Sequence, residues 1–213
     1  MSVSKMPLYV VSSGLTTIAF GASLIREIRK KNDDNESDQI KKIRQLEESI
    51  FSVATGIYGL NIGKSDFKSI QRLRYLDWII TTPMLLRTLH LLAQEKGFQG
   101  SFGLALGFNL AMIIFGYLHE FEKSKQKRQT YLVLGFLAFA GVLKHVHEWG
   151  TYLKSKGSKV DDLLKFFYIG WTIYGLNTLT PNEEIRQSIF NVSDLFNKGV
   201  YSLVLEDVIQ NKL

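Results

Sequence analysis

Two pairs of ionisable residues in this chain sit where solvated charges do not belong. In IFNVSDLFNKGVYSLVLEDV, Asp194 and Lys198 are four residues apart and share one helix face among apolar neighbours. In RYLDWIITTP, Arg74 and Asp77 stand one turn apart at the entrance to another apolar run. On a solvated helix an Asp–Lys pair at this spacing contributes only a few tenths of a kcal/mol. A lysine in the middle of a membrane-crossing helix has no route to water, so its amine must lose its proton or put it to use. A buried amine suits imine formation with an aldehyde. Such an imine stays protonated in a dry core only beside carboxylates, and Asp194 and Asp77 are the two available.

These residues need elements that carry them into lipid. A helix of about 20 residues crosses a hydrocarbon core of roughly 30 Å. Seven windows of that kind fit, at roughly 7–25, 45–63, 70–93, 98–118, 129–149, 161–179 and 184–206. Basic clusters such as REIRKK and EKSKQKR cancel them in the mean hydropathy, which is close to zero. Seven spans in 213 residues leave no room for a soluble domain. The expectation is an all-α membrane protein, a bundle of seven transmembrane helices forming one domain over 1–213. The first segment is too long for a signal-peptide core and is followed by REIRKK, so it should remain as an anchor with its N-terminus outside. The C-terminus then lies in the cytoplasm, and Lys and Arg favour that side weakly.

The net charge of +6 is met by this juxtamembrane distribution against anionic lipid, and no nucleic-acid partner is expected. No cysteine is present, and the four histidines, His90, His119, His145 and His147, lack metal-ligand spacing, so no metal is expected and all four read as surface or helix-end residues. The charged linker at about 26–44 carries Ile40, Ile43 and Leu46 at helical spacing. It reads either as a short interfacial helix or as a flexible loop.

RYLDWIITTP and DLFNK together resemble the third- and seventh-helix motifs of the microbial rhodopsins, the bacteriorhodopsin-like retinal proteins, and the resemblance spans essentially the whole chain. It implies all-trans-retinal bound covalently at Lys198 as a protonated Schiff base. Asp77 is then the counterion and proton acceptor, Asp194 the second counterion, and Arg74 tunes both. Thr81, one turn from Asp77, is expected to hydrogen-bond its carboxylate. Trp78, Thr82 and Leu85 face the chromophore, with Leu85 at a colour-tuning position that favours green absorption. Met112 and Gly116 sit at the ring end, Trp171 and Tyr174 beside the ring, and Tyr58, counted with the chromophore-binding residues, reaches Asp194. Gly175 replaces the proline usual in the sixth-helix pattern, which leaves the kink there open.

Pump members of the family carry a third carboxylate eleven residues after the counterion, and this chain has Thr88 there. A threonine cannot return a proton to the imine near neutrality. Glu47 with Glu48 on the second helix, Asn197 beside the lysine, and Ser12 and Ser13 on the first are read together as lining a cytoplasmic route between helices one, two, three and seven; Glu48 alone reads as facing water. The short loops and the charged linker resemble the viral rhodopsin group. The resemblance therefore implies a non-enzymatic photoreceptor, read first as a light-gated channel for monovalent cations. The alternatives are a slow outward proton pump or a sensory rhodopsin. The expected partners are the bilayer, the transported ions and a second copy of the chain.

Overall fold

Side-chain caps and left-handed glycines set where the helices start and stop. The computed structural model describes residues 8–29, 36–62, 64 and 66–211. Ser37 accepts from the Ile40 amide, Asp66 from those of Lys68 and Ser69, and Asn182 from that of Ile185, each meeting amide groups that a helix start leaves unpaired. Gly97 (φ 94°) and Gly157 (φ 84°) end their helices in the left-handed region that side chains avoid. The Phe98 amide then closes on the Ala93 carbonyl at 2.9 Å, and the Ser158 amide on that of Leu153 at 3.0 Å.

Between these signals run α1 (Leu8–Arg29), α2 (Asp38–Asn61), α3 (Phe67–Glu95), α4 (Gly103–Phe121) and α5 (Lys125–Ser155). Helix α6 runs as Asp161–Lys165, a π-helical stretch Phe166–Gly170, and Trp171–Asn177. Helix α7 runs as Glu183–Asp194, a π-helical stretch Leu195–Val200, and Tyr201–Gln210. The described residues thus form a seven-helix bundle without strands, as expected. Short connections make chain neighbours antiparallel. Helices α1 and α7 run parallel: the Leu8 amide donates to Glu184 Oε1 at 2.7 Å near one end, and Arg26 Nη2 donates to Ser202 Oγ at 2.8 Å near the other.

The bundle reverses the usual distribution of polarity. Ile18 is 71% exposed and Leu104 69%, whereas Arg74, Gln187, Asn191, Asp194 and Lys198 are buried. That is the pattern of a surface solvated by hydrocarbon around a polar interior. Among the described residues, three helices are long and apolar enough by composition to cross a membrane: Leu8–Ile28, Gly103–Phe121 and Lys125–Ser155. The remaining four carry many of the buried polar residues, which dilutes their hydropathy.

Three expectations change. Ile40 and Ile43 are buried in the core as part of α2, so the second half of the charged linker is the start of that helix rather than a separate interfacial one. Residues 30–35 lie outside the described residues. His90 is buried, and His119 is buried too although it occupies the last turn of α4. In α6, which lacks the usual proline, the helix is distorted one turn earlier, where Phe166–Gly170 is π-helical beside the π-helical stretch of α7. The two stretches pack closely because Gly170 has no Cβ; one placed there would collide with Asn197 Oδ1.

The Asn197 amide is held by the Ser193 carbonyl at 2.9 Å and cannot retreat freely. Gly170→Ala should therefore destabilise the bundle by about 1–3 kcal/mol in thermal melts of purified protein. Gly56→Ala, where a Cβ meets nothing within 4 Å, should be neutral or stabilise by up to about 1 kcal/mol.

Candidate functional site

The polar interior centres on Lys198, whose side chain is 1% exposed. The π-helical stretch of α7 carries it toward α3, where its Nζ makes a very short contact with Asp77 Oδ2 and lies 3.7 Å from Asp194 Oδ1. The two carboxylates are unequally held. Asp194 Oδ1 accepts from Trp78 Nε1 at 3.0 Å and from the Tyr174 hydroxyl at 2.7 Å. Its Oδ2 accepts a very short bond from the Tyr58 hydroxyl and one from Arg74 Nη1 at 3.1 Å. Asp77 has Lys198 on one oxygen and no partner on the other. Asp194 is thus a fixed anion in a ring of donors, while Asp77 keeps one oxygen open.

Arg74 extends the network toward the start of α7. Its Nη2 donates to Asn191 Oδ1 at 2.7 Å and its Nε to Gln187 Oε1 at 3.1 Å. Gln187 passes the chain on to Gln71 at 2.5 Å and Glu183 at 3.2 Å. Asn191 also donates to Ser12 at 2.9 Å and Ser13 at 3.0 Å. On the other side of Lys198, Thr88 donates to the Leu85 carbonyl at 2.7 Å, which leaves Tyr201 as donor in its 2.6 Å contact with Thr88. Glu47 is buried on α2 within electrostatic range of Tyr201.

An apolar cavity of about 110 Å³ adjoins Lys198. Trp78, Thr82, Leu85, Met112, Gly116, Trp171 and Tyr174 all line it, as does Asn197. Thr82 donates to the Trp78 carbonyl at 2.7 Å and lies 3.1 Å from Asn109 Oδ1, which ties α3 to α4. Gly116 and Gly175 give the cavity its width: a Cβ would press on Tyr75 at 3.1 Å or on Phe136 at 2.9 Å.

Three sequence expectations differ in geometry. Thr81 donates to the Asp77 backbone carbonyl at 2.9 Å rather than to its carboxylate, the usual fold-back of a helical threonine. Tyr58 is not among the cavity-lining residues; it binds Asp194 from behind. Ser12 and Ser13 lie at the Arg74 end, not with Glu47, because α1 runs parallel to α7 and an early residue of α1 meets an early residue of α7. Sequence reasoning missed Gln71, Gln187 and Tyr201. Gln187 and Asn191, four apart on the face that carries Asp194, were the signal available.

The family model described as Bacteriorhodopsin-like protein matches residues 8–211. The chain belongs to that family. It is 31% identical over 165 residues to archaerhodopsin-2 of Halobacterium sp. (strain aus-2), covering 70% of this chain and 62% of that protein. It is 26% identical over 152 residues to a green-light absorbing proteorhodopsin of Gamma-proteobacterium EBAC31A08, covering 63% and 59%. The chain thus spans about three fifths of the length of the curated relatives it matches. Among solved structures, viral rhodopsin OLPVRII superposes with a TM-score of 0.74 at 29% identity, over 93% of this chain and 95% of that one. Blue light-absorbing proteorhodopsin from Med12 gives 0.77 at 18% identity, over 96% and 99%, a likeness of fold. A member of this family is a multi-pass integral membrane protein, and the family implies a retinal chromophore. The cavity fits one: its walls are apolar enough for a polyene, two glycines widen it, and an amine stands on its wall.

Removing a donor from a buried charged acceptor is costly. Tyr58→Phe and Tyr174→Phe should each destabilise the protein by about 1.5–3 kcal/mol, read from thermal melts. Because both bind one carboxylate, the double variant should depart from additivity by at least about 0.5 kcal/mol.

Proposed function

We propose that this chain is a retinal photoreceptor that acts as a light-gated channel for monovalent cations, with the whole chain as one domain and the Arg74 end facing outside. The observation that carries the reading is the placement of the buried Lys198 amine between Asp77 and Asp194. All-trans-retinal, when bound to Lys198 as a protonated Schiff base, supplies light absorption and isomerisation. The chain's residues do the rest. Trp78, Leu85, Met112, Trp171 and Tyr174 hold an apolar ligand in one orientation and exclude water. Asp194, tied by Tyr58, Trp78, Tyr174 and Arg74, keeps a negative charge beside Nζ. Asp77, with an oxygen free of other partners, receives the proton from Nζ. That transfer neutralises the Lys198–Asp77 pair between α3 and α7, leaves that of Arg74 with Asp194, and loosens the two helices against each other.

Two features favour conduction over pumping. Thr88, hydrogen-bonded to neutral Tyr201, supplies no carboxylic proton donor on the Glu47 side. Polar groups also string through the bundle on both sides of Lys198: Ser12, Asn191, Arg74, Gln187 and Gln71 at one end, and Thr88, Tyr201 and Glu47 at the other. Between them stands Asn197, whose Oδ1 has no partner. Hydrated side-chain carboxylates and amides of this kind line cation pathways. The similarity to viral rhodopsin OLPVRII supports placing the chain near the viral group. A slow outward proton pump is the second reading, favoured by the Arg74–Gln187–Glu183 chain that could lead a proton out from Asp77.

Voltage-clamp recording under illumination separates the two. A channel gives photocurrents whose sign reverses when the monovalent cation gradient is reversed, and Glu47→Gln lowers that conductance severalfold. An outward current whose sign ignores the gradient would establish the pump instead.

A further inference from the structure

One polar atom of the chromophore cavity takes no part in the chemistry at Lys198. His119, in the last turn of α4, lines the cavity one turn beyond Gly116 and is 6% exposed. Its Nδ1 lies 2.8 Å from the Arg128 carbonyl. A carbonyl can only accept, so Nδ1 carries the proton. Arg128 Nε donates back to the His119 carbonyl at 3.1 Å, which fixes the residue between α4 and α5. In the neutral ring Nε2 is then a bare acceptor, and it is buried with no hydrogen-bond partner. Met112, Ile113, Gly116, Leu132, Gly135 and Phe136 line the cavity without side-chain donors, and the hydroxyls of Tyr75 and Tyr131, which line it too, make no bond to Nε2.

An acceptor left unmet in an apolar wall is unfavourable, and a ligand hydroxyl arriving there would satisfy it. The cavity extends from Lys198 on α7 to the wall built by α4 and α5 on the other side of the bundle. A ligand whose aldehyde carbon reaches Lys198 therefore directs its opposite, ring end toward His119. We infer that this pocket selects a retinal hydroxylated on its ring, with the hydroxyl donating to His119 Nε2. The inference rests on the retinal reading of Lys198 and deepens it by naming the ligand's substituent.

The test is a competition. Protein purified without chromophore is mixed with equimolar all-trans-retinal and all-trans-3-hydroxyretinal, or the 4-hydroxy isomer, and the bound aldehydes are released and separated by chromatography. Two variants accompany it. His119→Asn keeps an amide donor for the Arg128 carbonyl but has no distal acceptor, and His119→Gln restores an acceptor at similar reach. One hydrogen bond predicts enrichment of at least one hydroxylated isomer by roughly fivefold in the wild type and in His119→Gln, lost in His119→Asn. Equal ratios in the wild type and His119→Asn for both isomers, each with a visible band, would mean that water meets Nε2 and would overturn the inference while leaving Lys198 chemistry intact. No visible band with any of the aldehydes would overturn the retinal reading and this inference with it.

Discussion

A cation buried among seven helices can persist only if anions are buried with it, and this constraint shapes the interior of the bundle. Lys198 meets Asp77 and Asp194, and Asp194 in turn requires Arg74, Tyr58, Trp78 and Tyr174. Each added charge needs further partners, which is why Arg74 draws in Asn191 and Gln187. Ion pairs in such surroundings add little net stability, because desolvation offsets their attraction, yet removing one partner costs about 3–5 kcal/mol. The network is thus better understood as a device that holds charge in place for function than as the source of folding energy. That energy comes from the packing of apolar side chains such as Leu86, Leu89, Val146 and Trp149.

The asymmetry between the two carboxylates is where structure becomes mechanism. Four donors besides Lys198 meet Asp194, so adding a proton to it would forfeit bonds on both oxygens. Asp77 has one open oxygen, and a proton there breaks only its bond to Lys198. The same apolar surroundings that make charge expensive also make its movement consequential, since neutralising the Lys198–Asp77 pair removes one of the attractions between α3 and α7 with no water to replace it.

Much of this was legible in the sequence because membrane insertion penalises polar residues and so makes each of them conspicuous. Lys198 and Asp194 four apart, and Arg74 before Asp77, stood out on those grounds. The helices were legible from apolar length, even the four whose interior polarity dilutes their hydropathy. Pairings set by how helices lie side by side were less legible. Spacing alone does not tell that α1 runs beside α7 in parallel and so places Ser12 against Asn191. Nor does it tell that Thr81 satisfies a backbone carbonyl first, that the two π-helical stretches meet at Gly170, or that His119 turns inward to donate to the Arg128 carbonyl of α5. The α1–α7 pairing and the meeting at Gly170 depend on distances between segments far apart in the chain, and the Thr81 and His119 bonds on which acceptor within reach is taken.

The most direct measurement is the visible spectrum of the purified protein after addition of all-trans-retinal, compared with Lys198→Ala. The account predicts a visible band well to the red of free retinal in the native chain and none in the variant. A colourless native protein, or a band that survives loss of the Lys198 amine, would contradict it.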